Sequence, residues 1–243
     1  MNRVYHSGEI EIQQRVGEES IANANGRVVT DAVISGAINF IEKQPMAIVS
    51  SANLQGQIWT SLLIGDFGFT RVPNANTLTI DKSKIYSASN DVFYQNIKEH
   101  PEIGSLFLEL SSRRRFRING VTSTNGSRID VKIHEAYPNC PKYIQRRVLS
   151  MPKHFNEVSP SQNRGKELGL PEKNWIEDAD TLFVGSQSNE GRMDASHRGG
   201  NPGFIEIIDD HTLKIPDYQG NSMYNTLGNF VQNPNAGILL IDF

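Results

Sequence analysis

The sequence predicts a mainly β fold with peripheral helices, in which one small barrel occurs twice in tandem. Three observations carry this expectation. Residues 41–81 align without a gap on 176–217 (one residue longer), at a constant offset of 135. Each copy divides into short apolar segments separated by turns that contain glycine, asparagine or aspartate. Each copy also has a single short helical pattern among its strands, which favours a small barrel over an α/β sheet.

The repeat is specific. Identities fall at Ile41/Ile176, Glu42/Glu177, Val49/Val184, Ser51/Ser186, Gly56/Gly191, Ser61/Ser196, Gly65/Gly200, Gly68/Gly203, Phe69/Phe204, Thr77/Thr212, Leu78/Leu213 and Ile80/Ile215. After a slip of two residues the match resumes at Asn96/Asn229, Pro101/Pro234, Gly104/Gly237 and Leu106/Leu239. These are glycines and alternating apolar positions, where a shared backbone requires them.

The elements follow in order. Residues 9–43 read as helical, with an apolar face from Asp31 to Ile41 behind a Thr30 or Asp31 cap. First strands are expected at Met46–Ser51 and Thr181–Ser186, and second strands at Gln57–Leu63 and Arg192–Ser196. Third strands lie near Phe69 and Phe204, and fourth strands at Leu78–Ile80 and Leu213–Ile215. Short helices at about Asp91–Glu99 and Met223–Gln232 stop before His100-Pro101 and Asn233-Pro234. Buried strands follow at Ser105–Leu110 and Gly237–Asp242. The first copy continues through strands at 113–120 and 128–134 into Glu135–Arg147. The second copy ends opposite Leu110, without counterparts of about Ser111–Val148. A truncated second barrel is favoured over strands shared with the first. The expected organisation is therefore 1–149, helices plus first barrel; 150–174, a linker rich in Pro, Ser and charge; and 175–243, the second repeat.

Composition bounds the function. The chain has 243 residues, a formal net charge of −3, 37% hydrophobic residues and one cysteine, Cys140. The charge gives no general attraction to nucleic acid or an anionic membrane. No apolar run approaches a bilayer span, and no signal-peptide core is evident. A lone cysteine excludes an intrachain disulfide and fits the reducing cytoplasm. Arg113, Arg115 and Arg117 alternate along one strand face and read as an exposed basic stripe. Residues 143–147 read as an amphipathic surface helix.

The candidate site lies where the repeats diverge. TSLLIGD (60–66) in the first copy is replaced by ASHRGGN (195–201) in the second. Arg198 offers a forked cation and Ser196 a hydroxyl; Gly199 and Gly200 would let a ligand approach the backbone. Gly220, Asn221 and Ser222 precede a helix N-terminus, an arrangement that suits phosphate. Either segment alone reads as an ordinary hairpin or cap; together they favour an anion site.

These segments resemble the flavin-nucleotide-binding proteins related to pyridoxamine 5′-phosphate oxidase. The family pattern D-x-S-x-R-G, P-G-F, T-L-x-I-P-D-x-x-G-N, T-L-x-N, N-P is met at Asp194, Ser196, Arg198, Gly199, Pro202, Gly203, Phe204, Thr212, Leu213, Ile215, Pro216, Asp217, Gly220, Asn221, Thr226, Leu227, Asn229, Asn233 and Pro234. The later R-V-N-G and E-A-Y-x-x-C-x-K segments occur in the first copy, at Arg117–Gly120 and Glu135–Lys142. His197 and Asn201 stand where relatives often have proline and aspartate. The resemblance implies paired Greek-key split barrels with FMN in the cleft between them. Here the two repeats would form an internal pseudo-dimer, with a homodimer as an open alternative. Repeat two would then supply Ser196, His197, Arg198, Gly199, Asp217, Asn221, Ser222 and Thr226, and repeat one Tyr137, Asn139, Cys140 and Lys142. The pseudo-equivalent cleft lacks the arginine, so one FMN per chain is expected.

The activity implied is that of an FMN-dependent oxidoreductase acting on a small-molecule redox substrate or an electron-transfer partner. A non-catalytic flavin sensor and a haem-binding barrel remain alternatives. Only one phosphate-like site is visible, which disfavours pyridoxamine-phosphate oxidation itself. Cys140 reads first as a buried small hydrophobe and second as a flavin or substrate contact, with Lys142, Arg146 and a following helix favouring its thiolate. The histidines show no metal-ligand spacing.

Overall fold

The computed structural model describes residues 4–87, 89–149 and 163–243. Three helices open the chain: α1 (Ser7–Val16), α2 (Glu19–Asn25) and α3 (Ser35–Glu42). The expected helical stretch 9–43 is therefore broken twice. Gly17 ends α1 in the left-handed region at φ 72°, and a short 3₁₀ turn ends α2.

The first repeat contains β1 (Met46–Ala52), β2 (Ile58–Ile64), β3 (Thr70–Asn74), β4 (Thr77–Asp81), α4 (Phe93–Glu99), β5 (Glu102–Glu109), β6 (Arg114–Asn125) and β7 (Arg128–Asn139). Its strands form one antiparallel sheet in the order β2-β1-β5-β6-β7-β4-β3. The sheet is rolled where Gly65, just past the edge strand β2, bridges Ile85, just past β4, and Tyr86 N donates to Ile64 O. The rolled sheet encloses a core that includes Val49, Leu63, Phe69, Leu78, Phe107, Ile118 and Val131.

The second repeat contains α5 (Leu170–Asp178), β8 (Thr181–Gln187), β9 (Met193–Gly199), β10 (Glu206–Ile207), β11 (Leu213–Lys214), α6 (Asn225–Gln232) and β12 (Gly237–Leu240). Its strands make a three-stranded sheet, β12-β8-β9, and a hairpin, β10-β11. The third strand expected near Phe204 is only two residues long and starts after it. Of the expected linker, 150–162 lie outside the described residues, and the segment from Leu170 onward is already helix α5.

The offset of 135 holds in three dimensions. β1 and β2 shifted by 135 give the bounds of β8 and β9. The pairing register is shared too: Met46 faces Ile64, and Thr181 faces Gly199. With the later offset, Ala47–Phe107 in β1–β5 corresponds to Leu182–Leu240 in β8–β12.

The repeats pack against one another through equivalent surfaces. Alternate residues of β1 serve two cores, which is why every one of its seven positions is buried. Ala47 and Val49 point into the barrel, whereas Met46 and Ile48 join Leu106, Leu108, Phe183 and Ala195 in a second cluster between the repeats. The contacts are reciprocal. A Cβ placed at Gly104 would stand 2.6 Å from the backbone of Asp194, and one at Gly237, its repeat equivalent, 2.8 Å from the backbone of Ile58. Ser50 and Gly185, also equivalent, meet each other. Each glycine is required because another strand's main chain occupies the space of a side chain.

No helix among the described residues is long and apolar enough to cross a membrane.

Candidate functional site

One cleft of ≈790 Å³, measured out to open solvent, lies between the repeats. One wall is built by β6 and by the segment leaving β7; the other is built by β9, the loop 217–222 and the start of α6. Eleven of the twelve expected site residues line it: Asn139, Cys140 and Lys142 from repeat one, and Ser196, His197, Arg198, Gly199, Asp217, Asn221, Ser222 and Thr226 from repeat two. Tyr137 does not. It is buried behind the wall at 1% exposure.

Beneath the cleft lies a buried polar layer centred on Arg117. The Arg117 Nε atom is 3.0 Å from Asp194 Oδ1, and both side chains are about 5% exposed or less. Arg117 Nη1 donates to Tyr137 Oη at 2.7 Å and Asn225 Oδ1 at 3.2 Å; Nη2 donates to Ser196 Oγ at 2.6 Å and Ala195 O at 3.0 Å. Ser196 Oγ donates to Asp194 Oδ2, and Thr226 Oγ1 to Ser196 Oγ, each at 2.8 Å. Burial opposes the Arg117 charge, but Asp194 and Tyr137 more than offset it and hold its pKa above the usual value. Ser196, Thr226 and Tyr137 are thus committed to this layer.

Arg115 stands two residues along the same face. Its Nε donates to Cys140 O at 2.7 Å, and Nη1 lies 3.3 Å from His197 Nδ1. Among the described residues it has no carboxylate at salt-bridge distance. Burial, then repulsion from Arg117, lowers its pKa to about 10. His197 is 5% exposed, and its pKa is driven well below the usual value by burial and then by Arg115 and Arg198. Its ring is therefore neutral at pH 7. Because arginine can only donate, Nδ1 accepts and the proton resides on Nε2. That donor is buried and has no partner among the described residues, as is also true of the acceptor Asn139 Oδ1.

Arg198 is paired. Its Nη2 lies 3.2 Å from Asp217 Oδ1. Burial lowers its pKa, against the pull of Asp217. Lys142 Nζ and Tyr143 Oη both reach Gln219 O, at 3.3 and 3.1 Å, and close one end of the cleft. The site thus holds Arg115, Arg117, Arg198 and Lys142 against Asp194 and Asp217.

The loop before α6 is held from an unexpected direction. Ser222 and Tyr224 have φ of 62° and 60°, a region that disfavours side chains. The N-terminal helices hold them there. Asn25 Nδ2 donates to Asn221 O, Gln13 Nε2 to Met223 O, Tyr224 Oη to Glu18 and Asn225 Nδ2 to Glu9.

Several expectations are corrected. Arg113, Arg115 and Arg117 are not an exposed stripe: Arg113 lies in the turn before β6, Arg115 lines the cleft, and Arg117 is 4% exposed. Their face is covered by β9 of the other repeat. Residues 143–147 are not helical, nor does a helix follow Cys140. Tyr143 has φ 65°, and Ile144 is buried in the inter-repeat cluster, so this segment is pinned as an irregular strap. Gly199 lines the cleft and also has a packing requirement, since a Cβ there would collide with the Tyr143 carbonyl; Gly200 similarly abuts Phe204.

Arg115 and Arg117 are the charged residues missed as site residues; Tyr143, Tyr218, Tyr224 and Asn225 also line the cleft. The available signal was parity: Arg115 lies opposite Asn139 and Arg117 opposite Tyr137 in the β6–β7 register, and both partners had been singled out.

No family model matches the chain, and no curated protein does. Among solved structures, HupZ from Group A Streptococcus is similar at 12% identity and a TM-score of 0.36, covering 44% of this chain and 94% of that one. A provisionally assigned pyridoxamine 5′-phosphate oxidase from Lactobacillus delbrueckii gives 12% identity and 0.36, covering 44% and 95%. An F420 reductase gives 10% identity and 0.30, covering 44% and 98%.

Proposed function

We propose that the cleft binds FMN, one per chain, and that the protein is a flavoprotein oxidoreductase built as an internal pseudo-dimer. The observation that carries this reading is Arg115. A largely buried guanidinium with no carboxylate partner among the described residues is costly, and an anionic ligand in the cleft would relieve that cost. The fit extends to the orphaned Asn139 acceptor and to the sequence pattern from Asp194 to Asn221. Reciprocal packing of Gly104 and Gly237 supports the pseudo-dimer. The pseudo-equivalent position has Leu62, Leu63 and Ile64 in place of His197, Arg198 and Gly199, which supports a single site.

In this reading Arg115 and Arg198 hold the phosphate, with Lys142 at the mouth. The pairing of Arg198 with Asp217 fixes the direction of its fork. Tyr143 and Tyr218, with ring centroids 5.1 Å apart, wall the outer side. Arg117 and Asp194 orient the floor without touching the ligand. When bound, the flavin supplies one- and two-electron redox chemistry; the chain positions it and excludes water.

The test is a fluorescence titration of FMN into the apo-protein. Saturable quenching at one equivalent is expected. Arg115→Ala should weaken it by about tenfold or more, as for the loss of one charge-assisted hydrogen bond. Two flavins per chain, or no quenching at all, would overturn the proposal.

A further inference from the structure

A second cavity, ≈1050 Å³ out to open solvent, lies on the far side of the Arg117–Asp194 layer. It is bounded by residues 4–9, by Asn119 on β6 and Glu135 on β7, by the β8–β9 turn, and by Asn225 and Asn229 on α6. Its chemistry is the reverse of the cleft's. Glu9, Glu135, Glu190 and Asp194 all contribute to its lining. Asp194 is matched by Arg117. Arg192 is shared between Glu135 at 3.7 Å and Glu190 at 3.8 Å, and its side chain is half exposed. His6 lies 3.5 Å from Glu9, but burial lowers its pKa and leaves it a weak counter-charge.

An independent feature points to a ligand. Asn119 is 2% exposed. Its Nδ2 donates to Glu135 Oε2 at 3.0 Å, which fixes the amide and leaves Oδ1 a buried acceptor without a partner among the described residues. Beside that acceptor, the lining carries four carboxyl groups against the single guanidinium of Arg192. Among the described residues, no three acidic, histidine or cysteine side chains converge closely enough for a metal ion. A small cation could not reach these groups together, whereas an organic cation carrying several N–H donors could.

We propose that this cavity binds a primary-diamine cation, its two ammonium groups pairing with Glu135 and Glu9 and one of them donating to Asn119 Oδ1. The proposal is independent of the flavin reading, because it concerns a different cavity of opposite charge. Glu9 adds a signature. Burial, with Glu135 and Asp194 nearby, raises its pKa to about 8 despite hydrogen bonds from the His6 backbone and Asn225. At pH 7 it is therefore largely protonated, and an arriving ammonium displaces that proton. The other charged groups facing it are His6 on its own segment, Glu190 and Arg192 from the β8–β9 turn, and Arg117 through Asp194.

The experiment is isothermal titration calorimetry on the full chain with 1,4-diaminobutane at pH 7, in two buffers of different ionisation enthalpy. Neutral 1,4-butanediol and magnesium chloride at matched ionic strength serve as controls. Saturable binding of the diamine alone is expected, with a heat that depends on the buffer because a proton is released. Glu135→Gln should weaken binding about tenfold or more. Glu190→Gln, on a side chain 68% exposed, should fold as the parent does and weaken it less. Absence of saturable heat, equal heat from butanediol or magnesium, or unchanged affinity in both variants would overturn the proposal.

Discussion

Replacing Arg117 by methionine tests whether the buried polar layer couples the two repeats. The side chain joins β6 of the first repeat to β9 of the second through one ion pair at 3.0 Å and two hydrogen bonds at 2.6 and 3.0 Å. Its loss would leave Asp194, 3% exposed, as an uncompensated buried charge. Breaking such a pair from one side costs about 3–5 kcal/mol. Domains of this kind are stable by only about 5–15 kcal/mol, so the loss should be plain in urea. Asp194→Asn removes the charge while keeping an acceptor for Ser196 and Thr226. The double variant should then be less destabilised than the sum of the single variants by roughly 1–3 kcal/mol. Two tryptophans serve as reporters: Trp59 on β2 and Trp175 on α5, one in each repeat. With the other tryptophan changed to phenylalanine, each repeat can be followed alone. Coincident transitions are expected in the parent and separated transitions in Arg117→Met. A loss below about 1 kcal/mol, additive singles, or coincident transitions in the variant would refute the coupling.

Two further outcomes follow from the packing. Gly104→Ala should destabilise the chain by about 1–3 kcal/mol, because its methyl meets the Asp194 backbone rather than a movable side chain; a neutral result by thermal unfolding would show that the repeats are not in close register. Glu9 should give stability a pH slope. Its folded pKa of about 8 lies above the unfolded value of about 4.5, so within that window the folded state binds more protons. Stability should therefore fall as pH rises between those values and level off above 8. Glu9→Gln, which mimics the protonated form, should flatten the slope; an unchanged slope in denaturation measured from pH 5 to 9 would contradict the burial of this carboxyl.

The architecture was legible because duplication made the sequence its own comparison. An ungapped offset can persist only where strands keep both length and register, and β8 and β9 do so to the residue. The divergence at 195–201 was legible for the same reason: when one copy keeps an apolar strand end and the other acquires Ser-His-Arg-Gly, the difference marks a surface with a separate task.

What stayed hidden depends on contacts between distant segments. The parity of Arg115 and Arg117 was readable from β6, but parity states only that they share a face, not what covers it. Covering comes from Ser196 and His197, about 80 residues away, so a face that is solvated in an isolated barrel becomes the wall of a cleft here. Gly199 has a second requirement that was hidden for a related reason. A glycine beside a candidate ligand group signals close approach without identifying the approaching atom, which in this chain is the Tyr143 carbonyl. The clamp on 221–225 had no local signature at all. Glu9, Gln13 and Glu18 belong to a stretch whose sequence signals only helix, and they gain their role by meeting a loop more than 200 residues later. Where α1 crosses α6, Gly8 and Gly228 leave no room for a side chain on either helix, but a glycine in a helical stretch does not say which distant segment will press against it.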